Sequence, residues 1–153
     1  MTREHHDTIL LSLGNTRSQV ALTAADGTSQ TFALTLGLDA LTPGPFRQDP
    51  PTPLELEQAI MVVEDVLMPL AARIPPHPVV QLSSPVPLAA ILGSQELSRE
   101  SIERLFGQLV AMVEGDPLAA ARLPQDRRFA AALLILREWM HHLDAGSVVL
   151  VDG

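Results

Sequence analysis

The sequence predicts a single α/β domain over residues 1–153, with three antiparallel strands followed by α-β-α-β crossovers into parallel strands. Three observations carry this expectation. Leu10 to Leu22 reads L-L-S-L-G-N-T-R-S-Q-V-A-L, two apolar runs joined by a polar turn at Gly14. Gln30 to Leu36 alternates strictly, with Phe32, Leu34 and Leu36 on one face and Thr31, Ala33 and Thr35 on the other. Helical stripes then lead into two short apolar runs, Val79 to Leu82 and Ser147 to Val151.

The elements follow in order. Thr8 to Leu13 and Gln19 to Thr23 read as strands, and Asp26-Gly27 is a tight-turn pair before the third. Thr42 to Pro53 carries five prolines and reads as a surface connector. Thr52-Pro53-Leu54-Glu55 has the pattern of a capping box with Pro at the first helical position. The helix it opens runs to about Arg73 on the stripe Leu56, Ile60, Val63, Leu67 and Leu70, and Pro69 should disturb its last turn. Val79 to Leu82 is a buried strand, and Ser83-Ser84-Pro85 turns the chain into the apolar stretch Val86 to Leu92. Ser98 caps a helix with the stripe Ile102, Leu105, Phe106, Leu109 and Val113, stopped by Gly115. Asp116-Pro117 starts a short turn of helix. Asp126 caps the last helix, striped by Phe129, Leu133, Leu136, Met140 and Leu143, and Gly146 turns it into the final strand. The expected sheet has five strands, and this order describes the ribonuclease H-like fold of the actin-like ATPase superfamily.

Composition narrows the function. Aromatics are only 3%, so the core must be built from Leu, Val, Ile, Ala and Met. The net charge of −8 disfavours binding to a nucleic-acid backbone. There is no Cys, which excludes disulfides, thiolate metal sites and Cys nucleophiles. No apolar run reaches the roughly 18 residues of a membrane span. Met1 to Asp7 has no apolar signal core. A cytoplasmic domain is therefore expected, with no membrane partner.

The whole chain resembles the second domain of the Ppx/GppA family, the exopolyphosphatases and guanosine pentaphosphate phosphohydrolases. The resemblance runs through Leu11 to Leu22 as the phosphate hairpin, then Leu36-Gly37 and Asp49-Pro50-Pro51. It continues through Leu97-Ser98-Arg99-Glu100, Leu123-Pro124 and Val148 to Gly153. It implies a ribonuclease H-like fold and a phosphate cleft between two turns. Gly14, Asn15, Thr16 and Arg17 form one of them. Ser83 and Ser84 stand for the two glycines of the other, with Pro85 for its Thr. The family's metal-associated acid falls on Ser12, its next acid falls on Gln19, and its Arg and Asp before the last helix fall within Gln125 to Arg128. The resemblance thus implies a degenerate site with no catalytic residue, no resident metal or cofactor, and an interaction or anion-binding role toward phosphate or a nucleotide. An active phosphohydrolase on polyphosphate or guanosine pentaphosphate, using Mg²⁺ and completed by dimerisation, is the alternative. In it Asp152 is the acid at a strand end. A second alternative is a type III pantothenate kinase-like domain, because Leu13-Gly14-Asn15-Thr16 is similar to its first phosphate motif.

The remaining polar residues receive plainer expectations. Gly14 to Arg17 also fits an ordinary hairpin turn, and Ser83-Ser84-Pro85 a simple turn and helix start. His5-His6 belongs to a terminal segment. His141-His142 suits a solvated helix end, since adjacent helical residues point about 100° apart and cannot clamp one ion. Glu55, Glu57, Glu64 and Asp65 are expected on a solvated face. Trp139 lies off the main stripe, either at a contact surface or in a second core layer. The apolar last strand, with no following helix, predicts an uncovered face and a homodimer or a separate protein chain as partner.

Overall fold

The protein was analysed as a computed structural model, which describes residues 7–41, 46–75 and 77–151, with the side chains of residues 40 and 41 left out. Asp152, His5 and His6 therefore lie outside the described residues. The strands are β1 (Thr8–Ser12), β2 (Ser18–Thr23), β3 (Ser29–Leu34), β4 (Val79–Ser83), β5 (Glu96–Ser98) and β6 (Ser147–Val151). The helices are α1 (Leu38–Leu41), α2 (Pro53–Ala71), α3 (Leu88–Leu92), α4 (Arg99–Val113), α5 (Pro117–Ala120) and α6 (Arg127–Leu143).

The strands form one mixed sheet in the order β3-β2-β1-β4-β6-β5. β1 pairs antiparallel with β2 and β2 with β3, whereas β4 runs parallel to both β1 and β6. This is the ribonuclease H-like arrangement. The sheet has six strands among the described residues, not five. The addition is β5, an antiparallel edge strand registered Leu97↔Val148. Three residues are too few to show a period-two pattern, and Ser98 both ends β5 and caps α4, accepting from the Ser101 N–H.

Local chemistry sets the helix ends. Thr52 Oγ1 accepts from the Glu55 N–H at 3.2 Å while Glu55 Oε1 accepts from the Thr52 N–H at 3.1 Å, completing the capping box. α2 stops two residues after Pro69, which supplies no backbone donor. Asp116 and Asp126 cap α5 and α6 through the N–H groups of Leu118 and Arg128. Gly115 ends α4 at φ 100°. At the end of α6 the left-handed residue is Asp144, φ 52°, ahead of the expected Gly146.

One face of the sheet is the core. Ile9, Leu11, Val20, Leu22, Val80, Leu82, Val148 and Leu150 all point into it and are buried. α6 packs against α2 and α4. Every residue from Phe129 to Leu136 is buried, well beyond the single expected stripe. Ala130, Ala131 and Ala132 let neighbours approach α6 closely. Trp139 belongs to this core, with no exposed surface.

The other face is different. Thr8, Leu10, Ser12, Ala21, Gln81, Ser83, Val149 and Val151 are each half-buried, and Val79 is exposed. Three of the strands contributing to it are parallel, and parallel strands are ordinarily covered on both sides. The last strand is therefore interior to the sheet, and the open surface mixes apolar and polar side chains.

Candidate functional site

β1 and β4 run in parallel with Ser12 beside Ser83, so the Gly14 turn and the Ser83-Ser84 turn leave the same end of the sheet. Across that end the register places Gln19, Ser12, Ser83 and Val151 in one row. The row carries no charge. Where a phosphate cleft would need carboxylates for a cation, it offers one amide, two hydroxyls and a valine.

Part of the Gly14–Arg17 turn bonds the protein itself. The Gly14 N–H points to Ser18 Oγ at 3.4 Å, and the buried Ser18 hydroxyl donates to the Leu36 carbonyl at 2.6 Å. The carbonyls of Gly14 and Asn15 accept from the N–H groups of Leu38 and Asp39 at 3.0 and 2.6 Å, docking α1 onto the turn. Asn15 Oδ1 accepts from Arg128 Nη2 at 2.7 Å, and Arg128 Nη1 pairs with the Asp39 carboxylate. Close approach is built in. A Cβ on Gly14 would clash with the Arg17 carbonyl oxygen, and one on Gly37 would stand 2.7 Å from the Asn15 oxygen. Thr16 and Arg17 remain exposed.

The second turn meets the first at its base. Ser83 supplies its carbonyl to the Leu13 N–H at 2.8 Å, and Ser84 Oγ accepts from the Val86 N–H at 3.1 Å. Ser84 also lines a groove of about 250 Å³ whose other walls include Leu82, Val86, Leu88, Ala89 and Val151. None of Gly14 to Arg17 lines it. The geometry thus unites Ser12 with Ser83 and the Gly14 turn with Arg128, while Ser84 lines the groove beside α3.

Among the described residues, the donor set at the end of β1 does not fit a hard divalent cation. Such an ion takes carboxylate oxygens. Ser12 and Gln19 are neutral, and the Asp39 carboxylate is held by Arg128.

Asp39 had no sequence signal because α1 has only four residues and shows no pattern, and Ser18 lay unremarked in the first hairpin. Arg128 stood within the segment Gln125 to Arg128, but its partners were not visible in the sequence. Glu55 is a correction: it is buried, and its carboxylate accepts from the Arg47 and Thr52 N–H groups instead of facing solvent. His141 is exposed as expected, whereas His142 turns inward toward Glu138, with its Nε2 3.5 Å from Glu138 Oε2.

No family model matches the chain, and no curated protein matches it. Solved structures do. The Ppx/GppA phosphatase of Aquifex aeolicus, in its type II variant, superposes with a TM-score of 0.73 at 15% identity, over 97% of this chain and 54% of the other. The fold is similar to one half of a Ppx/GppA protein. An exopolyphosphatase from Cytophaga hutchinsonii gives a TM-score of 0.66 at 18% identity, again over 97% of this chain and 54% of its own. An exopolyphosphatase-like protein gives 0.66 at 13% identity, over 99% and 58%. The chain spans about half the length of the Ppx/GppA structures it matches. No helix among the described residues is long and apolar enough to cross a membrane.

Proposed function

We propose that this chain is an exopolyphosphatase-related domain that does not hydrolyse phosphoanhydrides and acts by association with another protein surface, in the first instance a second copy of itself. The observation that carries the reading is the uncharged row Gln19–Ser12–Ser83–Val151 at the end of β1 and its neighbours. The Gly14–Arg17 turn supports a structural role, since its carbonyls and the Asn15 side chain accept from α1 and Arg128. Phosphoryl transfer to water needs a cation and a positioned base, and that row supplies neither.

The association half rests on the open sheet face. Leu10, Val149 and Val151 are only half-buried on parallel strands that ordinarily have covers on both sides. We also propose a cytoplasmic location, with which the cysteine-free sequence is compatible. The test is an amide-shift titration of the full chain with inorganic phosphate and tripolyphosphate, with and without Mg²⁺. The reading expects no saturable shift at Gly14 to Arg17. Saturable shifts confined to those residues and Ser83 would favour an anion-binding site instead.

A further inference from the structure

Away from the end of β1, α2 and α6 bring three ligand-type side chains together. Glu64 lies on α2. Glu138 and His142 lie one turn apart on α6, and such a spacing puts both on one helix face. One donor atom from each lies within 4.8 Å of the others.

The environment of Glu138 is the decisive feature. Its side chain has no exposed surface. Oε1 accepts from Arg137 Nη1 at 2.8 Å, but Oε2 has no hydrogen-bond partner. His142 Nε2 is also buried without a hydrogen-bond partner. At 3.5 Å the two atoms attract but make a poor hydrogen bond. A buried carboxylate oxygen left unpaired is costly, and here it is aimed at a second unpaired donor atom.

Charge points the same way. Arg137 is shared between Glu138 and Glu103. Three carboxylates, Glu64, Glu103 and Glu138, stand against one guanidinium. With His142 neutral the cluster carries two uncompensated negative charges, the complement of a divalent cation.

We propose that Glu64, Glu138 and His142 bind one divalent first-row transition-metal ion, with zinc as the reference ion. Two carboxylate oxygens and an imidazole suit Zn²⁺, Co²⁺ or Mn²⁺ better than Mg²⁺ or Ca²⁺, which take oxygen ligands throughout. Ligand distances of about 2.0 to 2.2 Å require the donors to draw inward, and half-buried Glu64 is the side chain with room to do so. The ion joins α2 to α6. It acts on the helix layer, independently of the turn at the end of β1.

The test uses the full chain stripped with a chelator. Zn²⁺ is titrated by calorimetry, and Co²⁺ is followed by its visible absorption and by quenching of Trp139, the single Trp, next in sequence to Glu138. One equivalent should bind, raise the melting temperature and quench Trp139. Glu64→Gln and His142→Ala should each weaken binding about tenfold or more, the range seen even for groups that only orient metal ligands. Glu64→Gln changes a half-buried group, so it serves if the α6 variants fail to fold. Replacing His5 and His6 by Ala should change nothing. Absence of saturable binding, binding that survives in Glu64→Gln and His142→Ala, or binding lost with His5 and His6 would overturn the proposal.

Discussion

Arg128 Nη2 donates to Asn15 Oδ1 at 2.7 Å across 113 residues of chain. The same guanidinium holds the Asp39 carboxylate. The first turn of α6 is thereby tied to the β1–β2 turn and to α1. Arg128→Ala should cost about 1 to 2 kcal/mol, less than a buried charged pair because the Arg128 side chain is 33% exposed. Urea melts give the magnitude. Hydrogen exchange locates it: the Leu38 and Asp39 amides, which dock on the turn, should lose protection.

Glycine substitutions separate close packing from simple turn preference. Gly37→Ala places a Cβ 2.7 Å from the Asn15 oxygen and from Thr16 carbon, so it should cost about 1 to 3 kcal/mol. Gly107, inside α4, has nothing within 4 Å of its Cβ position. Gly107→Ala should stabilise by about 0.5 to 1 kcal/mol. Paired thermal melts check both, and equal effects would contradict the packing argument.

Glu55 makes a pH prediction. Burial opposes its charge, but hydrogen bonds from the Arg47 and Thr52 N–H groups and the Thr52 hydroxyl outweigh burial and hold its carboxyl below the usual value. A depressed folded pKa adds stability above the unfolded pKa, about 4.3, and that stability is lost as pH falls through the folded value. Glu55→Gln should therefore be less stable than the parent at neutral pH by about 1 to 2 kcal/mol. The gap should narrow below about pH 4. A gap that stays constant on acidification would show that the charge is not what matters.

Self-association should run through the open sheet face. Val79 is 42% exposed there, beside Thr8. Sedimentation at tens of micromolar should show a dimer, and Val79→Lys with Val149→Lys should return it to the monomer. A monomer of 16.5 kDa in the parent would remove the homodimer from the account.

Much of this fold was legible because its signals are local. Thr52, Ser98, Asp116 and Asp126 each cap a helix within three residues of themselves, so sequence spacing reveals them. The antiparallel trio and the crossovers to parallel strands followed from apolar periods and the order of elements, but the edge strand β5 did not. What stayed hidden depends on packing between distant segments. Trp139 is buried because the middle of α6 is covered beyond its main stripe, a fact about α2 and α4 as much as about α6. Glu64 meets Glu138 only once α2 lies on α6. At the end of β1, the neutral Ser12 and Gln19 were legible in the sequence directly. The Arg128 contact that now occupies the turn had no sequence signature.

The central claim is that the Gly14 turn is structural and the chain does not hydrolyse phosphoanhydrides. Its most direct test is release of phosphate from polyphosphate by the purified full chain with Mg²⁺ or Mn²⁺, across the concentration range in which it self-associates. The account predicts no turnover approaching about 1 s⁻¹, the low end for typical enzymes, and no gain on dimerisation. Turnover above that rate, rising with dimer and abolished by Arg17→Ala, would contradict it and establish an active phosphohydrolase completed by a second chain.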